Sequence, residues 1–138
     1  MATFNLEDLF TADNEEKGVW VEPIIDGEGI GIELLLTGPD TDENAANAEH
    51  YKKQLDELEK NKDPIDKAKK RKDLDAKRVA QFVKGIRAAN GSEVLFNGKS
   101  LEYSIPLIET FFLKAPLVQQ WVLQFVFNTA NFMKRKKN

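Results

Sequence analysis

The sequence predicts an α+β fold that is mainly α. Three observations predict it. Two apolar runs meet at Asp26-Gly27-Glu28-Gly29, a turn signal between strands. A charged middle, about residues 44–89, carries narrow apolar stripes at helical spacing. The closing stretch, "PLVQQWVLQFVFNTANF" from Pro116 to Phe132, read as one helix, is apolar on more than one side.

Taken in order, "FNLEDLF" places Phe4, Leu6, Leu9 and Phe10 near helical spacing and reads as a short helix or a late-packing arm. "TADNEEKG" is a polar connector. "GVWVEPII" and "IGIELLLTG" are β-branched and apolar, and form an N-terminal β-hairpin through the Asp26–Gly29 joint. Pro23 has no N–H to donate, which suits an edge strand or a bulge. Ala48, Tyr51, Leu55 and Leu58 then recur at 3-4-3 spacing, which predicts a helix over Asn44–Asn61. Asp63 is a good N-cap and Pro64 a good first helical residue. The next helix is expected over about Pro64–Ala89, with Ile65, Ala68, Ala76, Val79, Val83 and Ile86 on its stripe and Lys72 interrupting it. Two long helices with a tight link make an antiparallel helical hairpin, its tip near Asn61–Pro64. "NGSE" ends it, with Gly91 as a left-handed C-terminal residue. "VLFNGKSLEYS" is a second hairpin-like segment that turns at Asn97-Gly98. Ser104 caps a short helix, Ile105–Lys114, and Pro116 opens the last one.

Length and composition set bounds. A chain of 138 residues is expected to be one domain, 1–138, with the helical hairpin protruding. Charged residues make up 31% and hydrophobic ones 41%, which fits a soluble globular protein with one highly charged element. The net charge of −3 does not favour general nucleic-acid binding. The chain has no cysteine, which removes disulfides, thiolate zinc sites and thiol nucleophiles together. "MATFNLEDLF" has no basic start and no long apolar run, so no signal peptide is expected. Gln119, Gln120, Gln124, Asn128 and Asn131 break the C-terminal apolar runs, so that stretch is too polar to span a bilayer.

Most chemical motifs resolve into structural readings. "GEGIG" is followed by strand-like "IELLL" rather than a helix, and no Gly-Lys-Ser/Thr is present, so it is a hairpin turn rather than a phosphate loop. The basic run Asp66–Arg78 is interleaved with Asp66, Asp73 and Asp75, at spacings that suit Asp66–Lys70 and Asp73–Lys77 pairs on a solvated helix face. The tail Lys134–Lys137 complements the dipole of the last helix. His50 is the sole histidine and reads as a surface residue; Asp40, Asp42 and Glu43 sit at a helix start, where negative charge is favourable. No residue set is found for catalysis, a metal or a cofactor. The last helix remains. Leu117, Trp121, Phe125 and Phe132 make one broad strip, while Leu123, Val126 and Phe127 fall toward other sides. One side is expected to be core, and another an apolar patch for a partner.

The order of elements resembles the phage tail assembly chaperones of long-tailed phages and prophages. The likeness rests on "FNLEDLF" followed by "EEKGVWVEP", with Leu6, Leu9, Phe10, Glu16, Gly18, Val19, Trp20 and Val21 matching. It continues in "NGKSLEYS", through Gly98, Tyr103 and Ser104, and in the closing Ala130, Asn131 and Phe132. It spans almost the whole chain in short motifs, and residues 40–80 match only as charged helices. The resemblance implies a non-enzymatic assembly factor in the host cytoplasm. It would bind the tape measure protein, help recruit tail tube protein, and be absent from the mature virion. The expected docking set is Phe111, Phe112, Leu117, Trp121, Phe125, Phe127 and Phe132, mixed with core positions. Self-association through the apolar terminal helix is a further expectation, whereas neither a membrane nor a specific nucleic acid is an expected partner. The competing readings are a structural minor tail or connector protein, and a small nucleic-acid-binding regulator acting through 67–78 and 134–137.

Overall fold

The computed structural model describes residues 5–133. The expected α+β, mainly helical order holds. A 3-10 turn, Leu6–Leu9, leads into helix α1 (Ala12–Lys17). Strands β1 (Val19–Val21), β2 (Ile24–Ile25), β3 (Glu28–Gly29) and β4 (Ile32–Leu36) follow. The charged hairpin is α2 (Asp42–Glu59) and α3 (Pro64–Ala80). Then come β5 (Val83–Ala88), β6 (Leu95–Phe96), β7 (Lys99–Ser100), α4 (Ile105–Lys114), α5 (Pro116–Val126) and a 3-10 turn, Thr129–Phe132.

Both predicted hairpin turns form. Asp26 and Gly27 have φ of 54° and 80°, and Asn97 and Gly98 have 53° and 77°. Successive left-handed residues of this kind match the twist of the flanking strands. The first turn is tighter than the four-residue joint expected, because Glu28 and Gly29 already pair with Ile25 and Ile24. Pro23 is buried where β1 gives way to β2, and its carbonyl accepts from the Ile30 N–H.

Caps also appear where their residue types fall. The Thr41 hydroxyl accepts from Asn44 N–H, Asp63 accepts from Ile65 and Asp66 N–H, and Ser104 accepts from Leu107 N–H. Each satisfies donors that a helix start leaves unpaired.

The structure corrects three expectations. The second hairpin helix stops at Ala80, and Val83–Ala88 is a strand. The sheet order is β1-β4-β5, so β4 lies in the middle and takes a partner on each side. Leu34 pairs with Ile86 and Leu35 with Gly85. Gly85 is required by close approach: a Cβ there would lie 2.9 Å from the ring of Trp20. Val79, Val83 and Ile86 fit a helical stripe, but the second two also suit a pleated, half-buried strand. Gly91, although left-handed at φ 77°, therefore follows a strand rather than a helix.

Secondly, the "TADNEEKG" connector contains α1. No apolar period marks it, because polar groups hold it in place. The Asn14 amide donates to the Phe132 carbonyl at 2.8 Å, Gly38 N–H donates to the Glu15 carbonyl, and Glu15 is 4% exposed.

Thirdly, the last helix ends at Val126. The Asn131 side chain donates back to the Phe125 carbonyl, and the chain folds into a 3-10 turn. Phe132 thus reaches Phe125 by reversal, with ring centroids 5.9 Å apart and edge to face, not by helical repetition. The basic tail Lys134–Lys137 lies outside the described residues.

One core joins the sheet, the C-terminal half of α3, and both terminal helices. Leu34 and Leu36 meet Ala76, Val79, Phe82 and Val83, then Ile108, Phe112, Val118, Val122 and Val126. Helix α2 buries only Asn44, whose amide donates to the Thr37 hydroxyl at 2.9 Å and the Gly38 carbonyl at 2.7 Å. Further out, the hairpin thins, and Ile65 near its tip is 84% exposed. Three of its basic residues on α3 are paired: Lys70 with Asp66 at 2.9 Å, Lys67 with Glu59 at 2.9 Å, and Arg71 with Asp75 at 3.0 Å. The expected Asp73–Lys77 pair does not form; the pair on this stretch is Arg71–Asp75, two residues nearer the start of the helix. Lys70 and the Asn61 amide hold the Asp66 carboxyl below its ordinary range.

A candidate partner-binding surface

Helices α4 and α5 position the surface, joined at Ala115 with Pro116 in the first turn of α5. Val118, Val122 and Val126, each one turn apart, point into the core. The opposite side of α5 carries Leu117, Gln120, Leu123, Gln124 and Phe127, all exposed. At 3.6 residues per turn these cover an arc of about 120°. The arc mixes apolar and amide groups, and α5 has no charged side chain.

The seven expected docking residues divide three ways. Phe112 and Phe132 are fully buried, so they belong to the core and are corrected out of the docking set. Phe111, Trp121 and Phe125 are half-buried. Phe111 stacks on Phe112 at 5.8 Å, and Trp121 on Phe125 at 5.3 Å, so one ring of each pair braces its neighbour. Leu117 and Phe127 are open, at 62% and 55% exposure. The Phe127 ring edge meets buried Phe82 at 5.7 Å, which fixes its position while leaving it accessible.

Two apolar depressions lie along the terminal helices, and the second borders this arc. One, of about 280 Å³, lies between the sheet and the terminal helices and is lined by Ile32, Ile86, Leu95, Phe96, Leu107 and Phe111, among others. The β6–β7 hairpin forms one wall, and Lys114 places its ammonium 5.6 Å from the Phe96 ring centroid. The other, of about 380 Å³, is lined by Phe112, Leu113, Pro116 and Leu123 with Lys72, Gln119 and Gln120. The expected docking set left out Leu113 and Leu123, which line one depression, and Leu95 and Phe96, which line the other. A wheel drawn from the 118/122/126 stripe places Leu123 outward, but that stripe is recognisable only once the core is known. Leu6, Leu9 and Phe10 are also exposed, at 64%, 51% and 65%.

The acidic group expected at a helix start lines a separate polar cleft of about 460 Å³, where Asp40, Asp42 and Glu43 meet Glu15, Glu16 and Lys84. Lys84 pairs with Glu43 at 2.8 Å, and Asp42 and Glu43 lie in the first turn of α2, where they complement its dipole. Among the described residues, no three His, Cys, Asp or Glu side chains are grouped to hold a metal, and no helix is long and apolar enough to cross a membrane. His50 is exposed on α2.

No family model, curated protein or solved structure matches this chain.

Proposed function

We propose that this protein is a phage tail assembly chaperone. It binds the tape measure protein in the host cytoplasm, helps recruit tail tube protein, performs no catalysis, and leaves before the virion is complete. The observation that carries this reading is the uncharged, apolar-and-amide arc of Leu117, Leu123 and Phe127 on α5, in an otherwise highly charged molecule. A long helical client exposes apolar stripes until its own partners assemble around it. An apolar helix face beside shallow grooves suits such a stripe, and the absence of charge on α5 avoids desolvation costs on docking.

The motifs that carry the family likeness support it less directly, because several have structural work. Ser104 caps α4, Asn131 holds the end of α5, and Phe132 is core.

Co-expression with tape measure protein tests the reading. The wild-type chain should co-purify with it, and the triple variant Leu117→Ser, Leu123→Ser, Phe127→Ser should not, although its circular dichroism is unchanged. Mass spectrometry of purified particles should lack the chain. Its stoichiometric presence there would replace the chaperone with a structural tail component.

A further inference from the structure

At the base of the helical hairpin, where α2 and α3 meet α4, lies a cleft of about 170 Å³. Tyr51 and Gln54 line it from α2, Lys77, Arg78 and Gln81 from the end of α3, and Glu109 from α4. Arg78 is unusual among the charged residues here. Its guanidinium carbon sits 4.6 Å from the Phe82 ring centroid and 5.9 Å from that of Tyr51. Two aromatic rings thus hold the planar group at the cleft. Its Nη1 is buried and has no hydrogen-bond partner.

The acid best placed on this side of α3 is already engaged. Asp75 accepts from the Tyr51 hydroxyl and from Arg71 Nε. Lys60, Lys67, Lys70 and Arg71 of the hairpin have carboxylate partners, whereas among the described residues Arg78, like Lys77 beside it, forms no ion pair within 4.0 Å. Nη1 is buried and out of a ligand's reach, but a guanidinium offers its donors in a rigid fork, and the N–H groups on its other edge match a carboxylate. Burial pushes the Arg78 pKa down, opposed only by the Tyr51 phenol.

We propose that this cleft binds a single carboxylate group, with Arg78 as its forked donor and the Gln54 and Gln81 amides beside it. The charge of the lining selects the ligand. With His50, also in the lining, counted as neutral, Lys77 and Arg78 against Glu109 leave one net positive charge, which one carboxylate neutralises. A doubly charged phosphate would place excess negative charge next to Glu109. The carboxylate belongs either to a small organic acid or to a glutamate or aspartate side chain of a polypeptide; the recognition chemistry is the same. The proposal does not depend on the chaperone reading, because it concerns a different face of the molecule.

The test uses the full chain, labelled with ¹⁵N, at constant ionic strength. Sodium propionate and the capped peptide Ac-Ala-Glu-Ala-NH₂ should each produce saturable shifts at Tyr51, Gln81 and the Arg78 side chain, with dissociation constants on the order of millimolar. The glutamine counterpart of the peptide should not. Arg78→Lys and Arg78→Met should each weaken binding by about tenfold or more, since both lose the charge-assisted fork. Glu109→Gln should tighten it by about two- to fivefold. A glutamate peptide that binds more tightly than propionate identifies a polypeptide source, and equal affinity identifies a small acid. The proposal is overturned by the absence of saturable shifts up to roughly 100 mM propionate. It is equally overturned by unchanged binding in Arg78→Met, or by inorganic phosphate binding more tightly than propionate.

Discussion

Replacing Leu117 with serine should separate binding from folding. Leu117 is 62% exposed, so roughly two-fifths of it is buried by the protein's own atoms. Full burial of a leucine side chain stabilises by about 1.5–3 kcal/mol, so the fold should lose only about 0.6–1.1 kcal/mol. The position lies in the first turn of α5, where serine costs little helix propensity. If a client helix covers the remaining surface, binding should lose about 0.9–1.9 kcal/mol, or roughly 5- to 25-fold in affinity. Phe112→Ser is the contrasting control. Phe112 is fully buried, and losing its ring should cost about 3–5 kcal/mol of stability. Urea titration gives the first quantity, and a pull-down titrated with tape measure fragment gives the second. Two outcomes would refute the division of this surface. One is a stability loss in Leu117→Ser as large as that in Phe112→Ser. The other is undiminished affinity in a folded variant that also carries Leu123→Ser and Phe127→Ser.

Asn44→Ala should destabilise by about 1–3 kcal/mol, because it strands the buried Gly38 carbonyl and removes one of the two hydrogen bonds of the Thr37 hydroxyl, which still donates to the Phe82 carbonyl; a urea midpoint equivalent to less than about 0.5 kcal/mol would contradict this. The tyrosines set the alkaline limit. Burial and the Asp75 hydrogen bond raise the Tyr51 pKa, and burial and Glu43 raise that of Tyr103. A folded-state pKa above the unfolded value favours the neutral phenol in the fold. The resulting stability is fully present below about pH 10 and is lost as pH rises through the folded values. Ultraviolet titration should show both phenols ionising above about pH 10 in the folded chain, and Tyr51→Phe should flatten the alkaline loss of stability.

What the sequence by itself determined are the elements with short-range causes. Asp26-Gly27 and Asn97-Gly98 turn because those residues tolerate positive φ, and Asp63-Pro64 and Ser104 start helices because of their own side chains. The two charged helices are legible from their stripes. Only the tertiary structure decided the fate of Val83–Ala88. Its residues satisfy both a helical and a strand period, and the vacant side of β4 selects the strand. The same holds for α1, whose stabilising contacts come from Phe132 and Gly38 far along the chain. The C-terminal aromatics show the reason most plainly. Phe112 and Phe111 are adjacent and chemically identical, yet one is core and the other borders a groove. Periodicity says which residues share a face, but burial depends on what the rest of the chain places against that face.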